Sequence, residues 1–174
     1  MAAGETLGDR ILKVDHAGEN GAVCIYRAQI FVCRWRAPSV VTELEDFLRH
    51  ELHHRAIFGT ALAQRGQRRC RSYHLCGLGG FALGFVTALL GRGAVAATTV
   101  AVERVVLGHL EHQLIALKDI DRPAYEAIAS IVSDEQTHHD RSQAAQQNGS
   151  LWPALLEPIV AASTEAVIWL GMHL

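Results

Sequence analysis

A glutamate followed 32 residues later by a Glu-x-x-His tetrapeptide occurs twice in this chain. The two copies begin at Glu19 and Glu103, and their tetrapeptides occupy 51–54 and 135–138. Within each tetrapeptide the carboxylate and the imidazole are three residues apart, so on a helix both side chains face the same side. The repeat therefore predicts two helical hairpins, each of which brings two carboxylates and one imidazole together.

Apolar residues recur at steps of three and four along most of the chain, which predicts helices rather than strands. The expected helices cover 8–34, 39–64, 75–90, 94–118, 123–145 and 152–174. Asn148, Gly149 and Pro153 are expected to separate the last two helices. A chain of 174 residues supports one core. We therefore expect an all-α protein with a single domain spanning 1–174.

The repeated acidic and imidazole residues lie within helix faces that are otherwise apolar. An ionised carboxylate in a core is costly unless it is paired or bound to a cation. A single such residue is explained by a salt bridge, but four of them on four helices need a common explanation. The candidate ligands are Glu19, Glu51, His54, Glu103, Glu135 and His138. Two single glutamates and two Glu-x-x-His motifs are the ligand set of dinuclear centres in ferritin-like four-helix bundles.

Charge and ligand type narrow the choice of metal. Four carboxylates balance two divalent cations, and oxygen-rich ligands with imidazole suit iron or manganese better than structural zinc. The four cysteines show no paired spacing, so a zinc ribbon is not indicated.

A formal net charge of −2 argues against a nucleic-acid partner held by phosphate contacts. A helical scaffold whose acidic residues form ion pairs is the remaining alternative to a metal protein.

Five segments carry a resemblance to a known family: VDHAGENGA at 14–22, ELHH at 51–54, LGFVTALLG at 83–91, TVAVE at 99–103 and DEQTHHD at 134–140. In order and spacing they resemble the demethoxyubiquinone hydroxylases of ubiquinone biosynthesis, over about residues 9–174. The resemblance implies a ferritin-like four-helix bundle with additional apolar helices. It also implies a di-iron monooxygenase, ferrous when reduced, that uses O₂ to hydroxylate the ring of a polyprenylated demethoxyubiquinone or demethoxyubiquinol. NADH is the reductant that this resemblance implies.

The same resemblance assigns the iron ligands and one further histidine. The six candidate ligands named above match the iron ligands of the family position by position. His109 matches a histidine six residues after the glutamate Glu103, which is associated with delivering reducing equivalents or positioning the quinone. A core histidine with a satisfied hydrogen bond is the alternative interpretation of His109.

An uncharged segment at 75–91 follows a basic cluster that consists of Arg65, Arg68, Arg69 and Arg71. Seventeen residues are short for a membrane-spanning helix, whereas a polybasic stretch beside an apolar helix is typical of proteins bound to an anionic membrane surface. A buried helix beneath a solvated loop is the alternative. Because residues 1–10 lack the features of a signal peptide, we expect a peripheral protein on the cytoplasmic face of the cell (inner) membrane.

The expected partners are a polyprenyl demethoxyquinone, O₂ and the membrane surface. An accessory lipid-binding protein and self-association remain open as protein partners. A ferritin-like protein that stores iron or scavenges peroxide would use the same six ligands without a quinone, and this is the alternative function.

Overall fold

Seven α-helices make up the computed structural model, which describes residues 4–146 and 150–174. They are α1 (Leu7–Arg36), α2 (Val41–Gln64), α3 (Tyr73–Leu90), α4 (Arg92–Leu117), α5 (Arg122–Ala129), α6 (Val132–Ala145) and α7 (Trp152–His173). The expectation of an all-helical chain is confirmed. Asn148 and Gly149 lie outside the described residues, and Pro153 is in the first turn of α7.

Local side-chain contacts fix where two of the helices begin. Thr6 and Asp9 form a capping box at the start of α1, in which each side chain accepts a hydrogen bond from the backbone of the other. Asp121 accepts a hydrogen bond from the backbone N–H of Ala124 at the start of α5. Gly91 separates α3 from α4 with a φ of 98°, a conformation that favours glycine. The chain can therefore turn sharply between the two helices at this position.

The single helix expected at 123–145 is divided into α5 and α6 at Ser130 and Ile131. The Ser130 hydroxyl donates to the carbonyl of Ala127, and the N–H of Ile131 bonds to the carbonyl of Ile128. These bonds to the third residue back tighten the helix locally, as in a 3₁₀ turn. The apolar periodicity of the sequence continues across Ser130 and Ile131, so the pattern alone did not predict a break between two helices.

Four helical segments form an antiparallel bundle, with α1 and α2 as one hairpin and α4 with α5–α6 as the other. Contacts between the first helices of the hairpins show that they run in opposite directions, because Tyr26 meets Glu103 and Asp15 meets Gln113. This is the ferritin-like arrangement that the duplicated motif predicted. Each hairpin then contributes one side of the bundle interior.

Apolar clusters fill the bundle interior at both ends. One cluster includes Leu12 and Leu117, and the other includes Ile30 and Phe47. Glu19 lies between Leu12 and Ile30 along α1. The buried carboxylates therefore occupy the middle of the bundle, where the two clusters shield them from solvent at either end.

The additional helices α3 and α7 each pack on the first helix of one hairpin, α3 on α1 and α7 on α4. A Cβ atom on Gly80 would overlap the carbonyl oxygen of Gly21, and one on Gly84 would overlap that of Ile25. Small residues at such spacing allow two helix backbones to approach closely. Each hairpin therefore carries one additional helix, which packs on its first helix.

The outward faces of α3 and α7 are apolar. Leu78 on α3 is 69% exposed and Ile159 on α7 is 67% exposed. In the described part of the chain, α3, α4 and α7 are long and apolar enough to cross a membrane, although more than half of α4 is buried inside the protein. The alternative of a fully buried helix at 75–90 is therefore wrong, since its exposed side chains need another apolar environment.

One of the four arginines in the basic cluster has a structural role. Arg65 donates to both oxygens of Asp121, at 2.6 and 2.7 Å, and to Asp9 at 3.3 Å. These bonds link the end of α2 to the beginnings of α1 and α5. The expectation of a four-arginine membrane contact is thus reduced to Arg68, Arg69 and Arg71, which are exposed.

Candidate metal centre

The six residues that the sequence singled out as candidate ligands meet at the centre of the bundle, and none exposes more than 6% of its surface. Two groups of potential ligand atoms each lie within 4.8 Å of one another. The first group consists of Glu19, Glu51, His54 and Glu135. The second group consists of Glu51, Glu103, Glu135 and His138.

Two glutamates, Glu51 and Glu135, belong to both groups. The Glu135 atom Oε1 is 2.8 Å from Nδ1 of His54, and its other oxygen is 3.6 Å from Nδ1 of His138. Glu51 Oε1 is 3.2 Å from the same nitrogen of His138. Both carboxylates therefore lie between the two groups, whereas Glu19 and Glu103 each belong to one group only.

Unsatisfied polar atoms support a metal at this position. Among the described residues, four buried atoms at the centre lie near other polar atoms but make no hydrogen bond of regular geometry: Glu19 Oε2, Glu51 Oε1, His54 Nδ1 and His138 Nδ1. Buried polar atoms without a partner are rare because each costs about 1–3 kcal/mol. Carboxylate oxygens and imidazole nitrogens converge here, and this donor set fits two iron ions.

Burial and like charge act together on the protonation of the metal-free centre. Burial and the charges of Glu51 and Glu135 raise the pKa of Glu19 far above its usual value, and the pKa of Glu103 is raised in the same way. Burial opposes a charged His138, but the nearby carboxylates of Glu135 and Glu51 prevail and raise its pKa to about 9. Protons therefore compensate part of the buried negative charge, and a cation that binds here would have to displace them.

Each of the two candidate ligand histidines contacts a side chain of the other hairpin through its second ring nitrogen. His54 Nε2 lies 3.1 Å from Asp134 Oδ2, and His138 Nε2 lies 3.0 Å from His50 Nδ1. His50 and Asp134 occupy equivalent positions, each directly before its Glu-x-x-His motif. Sequence reasoning assigned neither of them a role, although their repeated position was a usable signal. Such partners orient a ligand imidazole and leave its other nitrogen free for the metal.

Asp134→Asn is expected to lower metal affinity at the His54 side by about 10–100-fold, because a neutral amide holds the imidazole less firmly than a carboxylate does. Competition with a chelator of known affinity measures this change. Asp140→Asn is the matched control, since Asp140 lies on the same helix and bonds to the outer residues Gln136 and His139. Equal affinities for the two variants would contradict this role of Asp134.

Tyr26 is a further residue of the centre that the sequence did not single out. Its hydroxyl donates to Glu103 Oε1 at 3.0 Å, from a side chain that is only 2% exposed. Burial, followed by the charges of Glu103 and Glu51, raises the pKa of Tyr26 well above its ordinary value. Tyr26 therefore remains a neutral donor that orients Glu103.

A cavity of about 360 Å³ leads from the centre toward the outside between α1, α3, α4 and α7. Glu19, Glu51, Glu103 and Glu135 line its inner part, and its walls are mostly apolar side chains such as Val106. A cavity of this size admits a small aromatic ring. The mouth lies beside the two helices whose outer faces are apolar.

His109 lines the same cavity, on α4. Its Nε2 is 2.8 Å from Glu165 Oε2 on α7, and one third of its side chain is exposed. His109 is therefore at the cavity wall rather than in the apolar core. Its bond to Glu165 links α4 to α7 beside the path that leads to the glutamates.

Comparisons with known proteins agree on one family. The family profile described as "Ubiquinone biosynthesis protein COQ7" matches residues 6–171. A protein of Rhodospirillum rubrum named 3-demethoxyubiquinol 3-hydroxylase is 35% identical over 163 residues, which cover 94% of this chain and 76% of the relative. A protein of Mus musculus named NADPH-dependent 3-demethoxyubiquinone 3-hydroxylase, mitochondrial, is 35% identical over 170 residues with the same coverage. A Dictyostelium discoideum protein of that name is 34% identical over 168 residues.

Proposed function

The chain belongs to the family of the ubiquinone biosynthesis protein COQ7, and on that basis we propose that its buried carboxylate–histidine centre and the adjoining cavity form one active site. The protein is a demethoxyubiquinone hydroxylase, a monooxygenase of ubiquinone biosynthesis. The observation that carries this function is a cavity that joins the ligand glutamates to the apolar side of the molecule. An iron-storage protein needs a polar path for hydrated ions and not an apolar opening of this kind.

The six clustered residues would hold the two iron ions, and Glu51 and Glu135 are the carboxylates that both groups share. Each hairpin supplies half of the set, so the two hairpins have to act together as one di-iron domain. Two iron ions held there would activate O₂ for insertion of one oxygen atom into an aromatic C–H bond. Tyr26 orients Glu103, while Asp134 and His50 orient the two imidazoles.

The proposed substrate path runs through the cavity between α3 and α7. The apolar walls receive the ring and exclude water from the centre, while the polyprenyl chain remains among the exposed apolar side chains outside. His109 lies on this path and is proposed to contact the quinone ring or the electron donor. Its bond to Glu165 holds the imidazole at the wall.

A reduced nicotinamide nucleotide is the proposed source of electrons. The names of the mouse and Dictyostelium relatives specify NADPH, whereas the resemblance of the sequence motifs implied NADH. NADPH is therefore the first reductant to test, with NADH beside it. The two nucleotides differ by a single phosphate, so a clear preference for NADPH would indicate a basic contact on this protein or on a partner.

The apolar helices suggest membrane association, and we propose that the protein binds the membrane surface through the outer faces of α3 and α7. Arg68, Arg69 and Arg71 follow α2 and precede α3, and they are placed to contact anionic headgroups. The proposed location is the cytoplasmic face of the inner membrane. An accessory lipid-binding protein or a second copy of the chain would cover part of the same apolar surface.

Ile159→Glu is expected to weaken binding to anionic vesicles by about tenfold or more. The change removes exposed apolar surface from α7 and adds a charge that the headgroups repel. Co-sedimentation with vesicles measures it. Ala56→Glu adds the same charge to an exposed position of α2, which packs on α1 and α5, and should bind as the wild type does. Equal losses in both variants would contradict a membrane face at α7.

The function itself is tested with iron-loaded protein, O₂, a short-chain demethoxyquinone and either NADPH or NADH. The expected product carries one additional hydroxyl group on the ring, whose oxygen comes from labelled O₂. Iron-free protein is the control. If fully iron-loaded protein forms no hydroxylated ring with either nucleotide, this function is excluded.

A further inference from the structure

Two hydrogen-bond acceptors in the wall of the cavity lack a donor. Asp15 on α1 and Gln113 on α4 both line the cavity. Among the described residues, Asp15 Oδ2 and Gln113 Oε1 are buried atoms that make no hydrogen bond. Neither residue belongs to the groups that could hold a metal.

The bond between these two residues determines which atoms stay free. Gln113 Nε2 donates to Asp15 Oδ1 at 2.9 Å. An ionised carboxylate accepts hydrogen bonds but donates none, so the amide has to present its nitrogen to Asp15. The amide oxygen of Gln113 and the second oxygen of Asp15 consequently remain without a hydrogen-bond partner, and both atoms are acceptors.

Other polar side chains of the cavity wall already have partners. The hydroxyls of Ser163 and Thr164 both donate to the carbonyl of Val160, and His109 bonds to Glu165. The unsatisfied glutamate oxygens in the inner cavity, on Glu19 and Glu51, belong to the proposed metal centre. Asp15 and Gln113 are therefore the cavity residues outside that centre whose unsatisfied acceptors call for a ligand.

The chemistry that satisfies two acceptors is a pair of donors. A hydroquinone ring carries two O–H donors, whereas the oxidised quinone carries only acceptors. Asp15 precedes Glu19 by one turn of α1, about 6 Å along the axis. A ring bound at Asp15 therefore lies within about one helical turn of the candidate metal centre, in the same cavity.

We propose that Asp15 and Gln113 bind the ring hydroxyls of the substrate, and that the cavity consequently selects the reduced, dihydroxy form over the quinone. This inference rests on the proposed function, because it takes the substrate ring to occupy the cavity. Asp15 and Gln113 are positioning residues that touch the ring. The carbonyl groups of the quinone cannot donate to the two buried acceptors. The quinone therefore binds more weakly than the hydroquinone, whose hydroxyls can donate to them.

Burial of the Asp15 carboxyl, which its bond from Gln113 only partly offsets, raises its pKa to about 7. The ionised carboxylate is the form in which both oxygens accept hydrogen bonds and neither donates one. Binding is therefore best compared at about pH 8.5, where this group is mostly ionised.

Anaerobic titration of the ferrous enzyme with a decyl-substituted hydroquinone and with its dimethyl ether tests the proposal without turnover. The ether has the same ring and chain but no donors. Wild-type protein is expected to bind the hydroquinone at least about tenfold more tightly. In Asp15→Asn an N–H group replaces the free acceptor, so the preference should fall to about unity.

A second variant and a control keep this test decisive. Gln113→Met removes the amide acceptor at similar length, and it also removes the donor that orients Asp15, so it should reduce the preference. Ser163→Ala lies in the same cavity but loses a hydroxyl that is already paired, so it should keep the wild-type preference. Thermal melting checks that each variant is folded.

The outcomes separate this proposal from the function on which it rests. Equal binding of hydroquinone and ether by the wild type would overturn the proposed selection but not the substrate cavity. An unchanged preference in both variants would do the same. That second result is expected if a bound water satisfies the two acceptors. Binding of neither compound by the wild type would overturn the substrate cavity and the selection together.

Discussion

Glu135→Ala is expected to abolish iron binding at both positions of the centre and to reduce hydroxylation by at least about 100-fold. Glu135 is the residue whose two oxygens face both proposed ligand histidines, at 2.8 Å from His54 and 3.6 Å from His138. Losing an outer partner of a metal ligand already costs about 10–100-fold, and losing a shared ligand removes a bond from each ion. Iron content per chain and product formation measure the effect.

Two further variants give that expectation its controls. Glu103→Ala removes a carboxylate that belongs to one group only, so it should chiefly weaken the ion beside His138. Glu111→Ala removes an exposed carboxylate of α4 and should retain full iron content. A Glu135→Ala protein that keeps the wild-type amount of iron would contradict the assignment of Glu135 as a shared ligand.

Gly84→Ala is expected to destabilise the protein by about 1–3 kcal/mol, even though alanine favours helices more than glycine does. A Cβ at this position would overlap the carbonyl of Ile25, so α3 has to move away from α1. For a chain of this size, the melting temperature should fall by about 2–4 °C for each kcal/mol. Thermal melting in detergent measures this change.

Gly79→Ala is the matched control for that variant, because it places the same methyl group on the same helix. A Cβ at Gly79 meets no atom within 4 Å. The expected result is unchanged stability or a gain of up to about 1 kcal/mol, from the better helix propensity of alanine. If both alanine variants melt at the same temperature, the close approach of α3 to α1 does not contribute to stability.

The duplicated motif explains how much of the site was predictable. A helix places residues three and four apart on one face, so the spacing of Glu51 and His54 determines that both face the same side wherever the hairpin packs. The equal distance from Glu19 and from Glu103 to their tetrapeptides predicted two equivalent hairpins. The structure brings all six predicted residues together.

Other features of the site depend on contacts between the hairpins. His50 supports His138, and Asp134 supports His54, across 88 and 80 residues of chain. Spacing along one helix carries no information about which residue of another helix lies behind it. The free acceptors of Asp15 and Gln113 became apparent in the same way, once α1 and α4 had been placed side by side.

Arg65 shows the same limit at the surface. In the sequence it is one of four arginines in a basic stretch, and charge alone suggested a membrane contact. The folded chain places Asp9 and Asp121 beside it, and these two carboxylates outcompete any distant headgroup.

The sequence by itself determined the helical class, the six clustered residues and the family, because these follow from periodicity and from motifs within single helices. The tertiary structure decided which carboxylates are shared, which side chains hold the ligand histidines and where the cavity opens. These properties depend on contacts between helices that are distant in sequence. Close glycine contacts, ion pairs and apolar clusters determine how those helices pack. The repeated glutamates therefore predicted a metal centre, and the packing of α3 and α7 determined its opening toward an apolar substrate.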